Sequence, residues 1–383
     1  MPGCRRGQAD TAAAACPGGA PPPTEAGSTR AAGRWRLAHG SPRTPAPGGC
    51  RTVLARLPAN ASGAEPAVPQ RASTATGTCR LAHGPADLLP WTTVRQPLTT
   101  YVPSRQGVEV AAHDYGGDGR PLLFLHGTGL CSRTWEPVMA RLPLDAVRPI
   151  AVDLRGHGAS RTPGAVTFAD HDMVADLSAV AAHFGLVGAW AAAHSMGGGT
   201  AILAEAAQPG TFERLWVFEP IVFPRPLDGG EGPSALVEAT RRRRPVYPSR
   251  QAAAERYGSR PPLDELHPEV LHAYVAHGFV DQPDGSVRLA CEPEVEARAY
   301  EEFLSDGFER LGGVRAPVLV GYGDRSTDPS GEWAPKVAEA LPAGVTERFT
   351  GSAHFGPFAD LDATAASLRR WFLGDGPAER PAR

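Results

Sequence analysis

The chain has 383 residues, enough at roughly 100–200 residues per domain for two or three domains, or for one large domain with an appendage. Its net charge of −3 is unevenly spread: residues 1–96 carry 11 Arg against Asp10, Glu25, Glu65 and Asp87, a net +7 that leaves −10 on the remainder. A mildly acidic body argues against nucleic acid as a partner, and no window approaches the ~18 apolar residues of a membrane-spanning helix.

Residues 1–96 also hold 12 Gly and 13 Pro, which interrupt almost every short apolar group. Such a composition buries too little surface to offset the entropy of ordering, so a disordered tail is expected. Arg5-Arg6 resembles the start of an export signal, but the next apolar run, 12–15, is short beside a ~7–15-residue signal core. A cytoplasmic protein is therefore expected. Only Cys131 and Cys291 lie beyond the tail, with no Cys-x-x-Cys pair and no metal-ligand spacing, so no disulfide framework, metal or other cofactor is expected. Lys336 is the only lysine among 38 basic residues. Arginine here follows a coding bias and carries little functional information.

From Thr99 the pattern becomes periodic. Residues 108–112 alternate and 121–125 form a short apolar run, both read as strands. A helix over 135–142, a strand over 149–153 and an amphipathic helix over 170–184 follow. The apolar stretch 189–193 is a buried strand that runs straight into Ser195 and a helix over 197–207. Another strand is expected at 215–218. After a long interlude come a strand at 317–321, a helix at 333–341, a strand at 345–349 and a closing helix at 361–372. Strands alternating with long helices need crossover connections, which predicts an α/β fold: a mostly parallel central sheet with helices on both faces. The interlude, 221–303, has helix-like pieces at 234–243, 249–257, 268–277 and 293–304 and no convincing strand. It is expected to be a helical cap inserted between the core segments 97–220 and 304–375.

The chemistry is carried by loops at strand ends. Ala193-His194-Ser195-Met196-Gly197 matches Gly-x-Ser-x-Gly with alanine in the first place, at a turn so sharp that only small residues fit two positions either side of the serine. His126-Gly127-Thr128-Gly129 follows another buried strand, and the backbone N–H groups of Thr128 and Met196 are the expected pair of oxyanion donors. A serine nucleophile needs an imidazole base, and that base needs an acid to orient it. His354 lies after the last strand and Asp324 after the strand before it, at the sheet edge where catalytic groups gather in open α/β sheets. The chain order is Ser195, Asp324, His354.

These motifs, with Asp153-Leu154-Arg155-Gly156-His157-Gly158-Ala159-Ser160, resemble the α/β-hydrolase superfamily over residues 97–375. The resemblance implies a cofactor-independent serine hydrolase acting on an ester or related acyl bond of a small organic substrate. Acyl transfer, C–C bond hydrolysis or perhydrolysis on the same triad are alternatives, and a non-catalytic ligand receptor is a further one. Some relatives of this fold place the acid where Glu219 stands, which makes it a rival to Asp324; Asp328, farther from its strand end, is another. His157 and His194 are expected to be structural. Tyr274 and Phe279 in the cap are expected to bind substrate. The run Arg241 to Arg244 is expected to be a solvated helix end, with recognition of an anionic substrate as the other reading.

Overall fold

Eight strands form the central sheet in the computed structural model, which describes residues 94–224, 234–303 and 307–374. They are β1 (Leu98–Pro103), β2 (Glu109–Asp114), β3 (Arg120–Leu125), β4 (Val147–Val152), β5 (Ala189–His194) and β6 (Phe212–Phe218), followed after the cap strands by β10 (Val318–Gly323) and β11 (Gly344–Phe349). The cap strands are β7 (Val246–Tyr247), β8 (Phe279–Asp281) and β9 (Val287–Leu289). The sheet order is β1-β2-β4-β3-β5-β6-β10-β11. The pairings β1·β2 and β2·β4 are antiparallel, and all the others in this sheet are parallel. The expected tail lies outside the described residues, apart from its last three positions.

Central strands β3 and β5 are almost wholly buried, because helices cover both faces. On one face pack the helices Asp170–His183, Met196–Ala207 and Pro329–Ala340; on the other packs the closing helix Leu361–Leu373. The helix expected over 135–142 is two short pieces: a 3₁₀ turn at Ser132–Trp135, then Glu136–Met139 with Pro137 in its first turn. The pivot of this face is Trp135, fully buried, whose indole N–H donates to the Leu125 carbonyl at 3.1 Å.

The cap departs from the all-helical expectation. Its helices Ala235–Arg241, Arg250–Tyr257, Pro268–His277 and Pro293–Glu302 surround a three-stranded antiparallel sheet in the order β7-β9-β8. Strands of two or three residues are too short for alternation to reveal them. Their turn was marked only by Pro283-Asp284-Gly285, with Gly285 at φ +83°. Residues 225–233 and 304–306, at the two junctions of cap and core, lie outside the described residues.

Arg141 fastens the cap to the core. Its guanidinium gives two parallel hydrogen bonds of 3.0 Å to Glu269 on the cap and one of 2.9 Å to Asp362 on the closing helix. Bidentate Arg–carboxylate geometry is the strong form of such a pair, though here it is partly open to water. Replacing Arg141 with alanine is expected to cost about 1 kcal/mol and to lower the melting temperature by about 2–4 °C in a thermal melt. An unchanged melt would show that the cap is held by its apolar contacts alone.

Candidate active site

At the end of β5, Ser195 adopts φ 55° and ψ −122°, a region that side chains other than glycine rarely occupy and that costs on the order of 1–3 kcal/mol. Hydrogen bonds on both sides hold it there: its N–H donates to the Phe218 carbonyl at 3.0 Å, while its carbonyl accepts from Gly199 at 3.0 Å and Ile221 at 3.1 Å. The turn also demands absent side chains. A Cβ on Gly197 would stand 2.5 Å from the His126 carbonyl oxygen, and one on Gly127 would stand 2.7 Å from His194 Nδ1 and 3.0 Å from Ser195 Cβ. Glycine at these two places lets the loop after β3 press against the serine turn.

Behind Ser195 runs the helix Met196–Ala207, so its first N–H groups have no acceptor within the helix. Thr128 lies beside it, its hydroxyl 3.5 Å from Met196 Sδ. The structure thus brings together Ser195, Met196 and Thr128.

His354 is also brought in. Its Nε2 is 3.2 Å from Ser195 Oγ, and its Nδ1 is 2.7 Å from Glu219 Oε2. Asp324 does not orient it, which corrects the expectation from chain order. Strand β10 continues through Gly323, so Asp324 opens an exposed turn, and its carboxylate accepts the Gly351 N–H at 2.7 Å. It steadies the loop that carries His354 without touching the ring.

Glu219 takes that place because of its own backbone. It follows β6 directly, has φ 44°, and is fully buried. Its Oε1 accepts the Gly323 N–H at 2.9 Å and the Ser326 hydroxyl, and its Oε2 accepts the Ser330 hydroxyl at 3.2 Å beside the imidazole. Donors from Gly323, Ser326 and His354, with the Ser330 hydroxyl shared between Glu219 and Asp328, satisfy a carboxylate that would otherwise be costly to bury. Asp328 supplies a second acid: its Oδ1 caps the helix Pro329–Ala340 through the Ser330 N–H at 2.8 Å, and its Oδ2 is 3.7 Å from His354 Nδ1. Burial lowers the affinity of His354 for a proton, but the hydrogen bond to Glu219 and the charges of Asp328 and Glu219 outweigh it, leaving its pKa above the ordinary 6.5. Glu219, Asp328 and His354 are the one cluster with metal-ligand spacing among the described residues, and their facing atoms are already hydrogen bonded or ion paired to one another.

His157, His126 and His194 bond to the backbone around the site. His157 accepts the Gly129 N–H on Nε2 at 3.0 Å while its Nδ1 meets the Arg155 carbonyl at 2.8 Å, and burial pushes its pKa down to about 3. His126 accepts from Leu154 N–H at 3.1 Å. Together they tie the loop after β3 to the segment after β4. His194 Nε2 lies 2.8 Å from the carbonyl oxygen of His354, so it braces the backbone of the histidine that faces Ser195. Asp153 accepts from Ser132 and Ala159 N–H and meets His113; Arg155, fully buried, pairs with Asp176 at 2.6 and 2.7 Å. The motif Asp153 to Ser160 is a scaffold.

Tyr274 and Phe279 are buried in the cap, packed edge-on against each other with centroids 5.8 Å apart and against Tyr257 at 5.6 and 6.1 Å. The four consecutive arginines do not act together. Arg241 pairs with Glu294 and Glu301, Arg242 with Glu238, and Arg244 is exposed, while Arg243 turns inward to Glu296. Sequence reasoning missed this inward pair. Cys131 and Cys291 are buried free thiols, their pKa values pushed up by burial.

Known proteins resemble the chain in sequence and in fold. The sequence model described as the alpha/beta hydrolase family matches residues 122–367. A non-heme haloperoxidase of Rhodococcus erythropolis is 40% identical over 99 residues, 26% of this chain and 35% of that protein's length. A non-heme chloroperoxidase of Streptomyces lividans is 29% identical over 263 residues, 66% of this chain and 92% of that protein. The crystal structure of an E-2-(acetamidomethylene)succinate hydrolase superposes with a TM-score of 0.62 at 21% identity, covering 72% of this chain and 99% of that one. Among the described residues no helix is long and apolar enough to cross a membrane.

The carboxylate arrangement has a direct spectroscopic consequence. In a histidine NMR titration, Glu219→Gln is expected to lower the pKa of His354, because it removes the charge that accepts the Nδ1 proton. Asp324→Asn is expected to leave it in place. The opposite pattern would return the acid to Asp324.

Proposed function

The chain belongs to the alpha/beta hydrolase family and is an enzyme of that family, and from that premise we propose that it is a serine hydrolase of an ester or related acyl bond in a small organic substrate. The observation that carries this reading is the line Ser195 Oγ, His354 Nε2, His354 Nδ1, Glu219 Oε2, with spacings of 3.2 and 2.7 Å. A serine attacks carbonyl carbon to give an acyl intermediate, so the residue at the turn favours acyl chemistry.

Each step has a residue to perform it. Ser195 Oγ bonds to the carbonyl carbon as its proton passes to His354 Nε2, and the N–H groups of Thr128 and Met196 hold the oxyanion that forms. The tetrahedral species collapses, and His354 gives the proton to the departing alkoxide. Water then attacks the acyl-serine with His354 again as base, and the acid product leaves. Glu219 keeps the Nδ1 proton on the ring and stabilises the imidazolium through both halves. Asp328 adds negative charge at longer range, and Asp324 positions the histidine loop through Gly351. No step calls for a metal or an organic cofactor.

Two relatives named as non-heme haloperoxidases favour one variant of this cycle. Hydrogen peroxide attacking the acyl-serine in place of water would release a peracid. Ester hydrolysis with and without peroxide, followed by trapping of the peracid, separates the two outcomes.

A fluorophosphonate should add once per chain, and Ser195→Ala should abolish labelling; equal labelling of the variant would end the assignment. The ratio kcat/KM should rise with pH through an apparent pKa above 6.5, because the base must be neutral to accept the proton and its pKa is raised. Glu219→Gln should reduce kcat/KM by about 10³-fold or more, by analogy with loss of the orienting acid in other triads, whereas Asp324→Asn should reduce it by less than about 10-fold.

A further inference from the structure

The polar cluster beneath the cap stands close to the reacting centre. A Cβ on Gly129 would come within 2.5 Å of Glu296 Oε1 and 3.3 Å of an Arg243 terminal nitrogen. Gly127, two residues earlier, abuts Ser195. At 3.8 Å per residue the loop between them spans at most about 7.6 Å, the length of a short acyl chain.

Arg243 is held by three hydrogen bonds: one to Glu296, one of 3.0 Å to the Tyr257 hydroxyl and one of 3.4 Å to the Tyr274 hydroxyl. A guanidinium has five N–H donors. Its Nε–H and one terminal N–H therefore have no acceptor among the described residues, and its side chain keeps 22% exposure while Glu296 keeps 6%. Tyr257 and Tyr274 brace the guanidinium from one side and leave those two donors to be used.

The charge of the site is as informative as its donors. Glu296 already neutralises Arg243. A second carboxylate entering here would be an uncompensated anion next to Glu296, which a poorly solvated site disfavours. The Glu296 carboxylate, paired with the guanidinium, offsets its charge, so the site has no surplus positive charge to give. A neutral carbonyl or ether oxygen meets the two remaining donors without that cost. Resting on the serine-hydrolase reading above, we infer that Arg243 and Glu296 form the polar end of the acyl pocket and select substrates whose distal group is a neutral hydrogen-bond acceptor over those ending in a free carboxylate. Tyr274 and Phe279 then act on specificity by holding this pair, not by lining the acyl chain.

Three p-nitrophenyl esters test this: those of hexanoic acid, of monomethyl adipate, and of adipic acid with its distal carboxylate free. The intact enzyme is expected to favour monomethyl adipate over the free acid by about 10-fold or more in kcat/KM. Glu296→Gln leaves Arg243 uncompensated, so the preference is expected to invert toward the carboxylate. Should that variant fail to fold by circular dichroism, the double variant Arg243→Gln, Glu296→Gln removes both charges together and is expected to treat the methyl ester and the hexanoyl chain alike. An intact enzyme that prefers the free acid, or a Glu296→Gln variant that scales all three esters equally, overturns the inference. Fluorophosphonate labelling separates the two levels: a protein that labels at Ser195 but does not discriminate overturns the subsite alone, and one that neither labels nor cleaves overturns the serine-hydrolase reading and the subsite with it.

Discussion

Ser195 sits in a backbone conformation that its own side chain disfavours, and the architecture around it is what makes that conformation tolerable. The strain, on the order of 1–3 kcal/mol, is borne because the N–H and carbonyl of Ser195 are both hydrogen bonded to the neighbouring strand end and the following segment. Those partners exist only if β6 lies beside β5 in the register that pairs His194 with Phe218. The small residues Ala191, Ala192 and Ala193 and the glycines Gly197 to Gly199 belong to the same constraint. They let helix, strand and loop approach within distances that a side chain would forbid. A turn this tight leaves the hydroxyl at the head of a helix and at the carboxyl edge of the sheet, where the neighbouring strands deliver the other groups.

The acid illustrates how that edge distributes roles. In a parallel sheet, several strand ends converge near the serine, and β6 and β10 are adjacent. A carboxylate from either can reach an imidazole that arrives from the loop after β11. Here the backbone decides: φ 44° at Glu219 turns its side chain into the gap between β6 and β10, where Gly323, Ser326 and Ser330 are ready to donate. The carboxylate of Asp324, on an exposed turn, binds the Gly351 backbone instead. Glu219 is buried and fully engaged, whereas Asp328 is half-exposed and shared with a helix cap. Both charges act on one nitrogen of His354, and together they outweigh the effect of burial on the imidazole.

Much of this was legible in the sequence, for reasons that also mark the limits. Apolar runs, their spacing and the Gly-rich turns marked the alternation of strands and helices along the α/β core, though not its first strand or the order of strands in the sheet, and singled out Ser195, Thr128, Met196 and His354, since each stands at a strand end with a steric or chemical requirement visible in its neighbours. The choice between Glu219 and Asp324 was not legible. It depends on one backbone torsion and on two serines that lie more than 100 positions along the chain from Glu219. The cap strands were hidden by their length. Arg243 was hidden by composition: in a chain where nearly every basic residue is arginine, one inward-facing member of a run of four looks like its neighbours.

Cap and core answer different physical demands, and Gly129 is where they meet. The core must hold the serine, base and donors in place, and the groups that brace its loops are engaged with one another: Asp153, Arg155, His126 and His157 leave little for a ligand to bond. The underside of the cap is built the other way. Arg243 is anchored by one carboxylate and two phenols yet retains unused donors, and its charge is cancelled before any ligand arrives. A lone arginine would draw in any anion; a neutralised one discriminates by hydrogen-bond geometry, because a misplaced or charged partner gains little and loses its hydration. Loop residue Gly129 carries both systems, donating its N–H to His157 in the core and leaving room for Glu296 from the cap. Core and cap thereby meet, here as at Arg141, and at Gly129 they do so at a backbone position that admits no side chain.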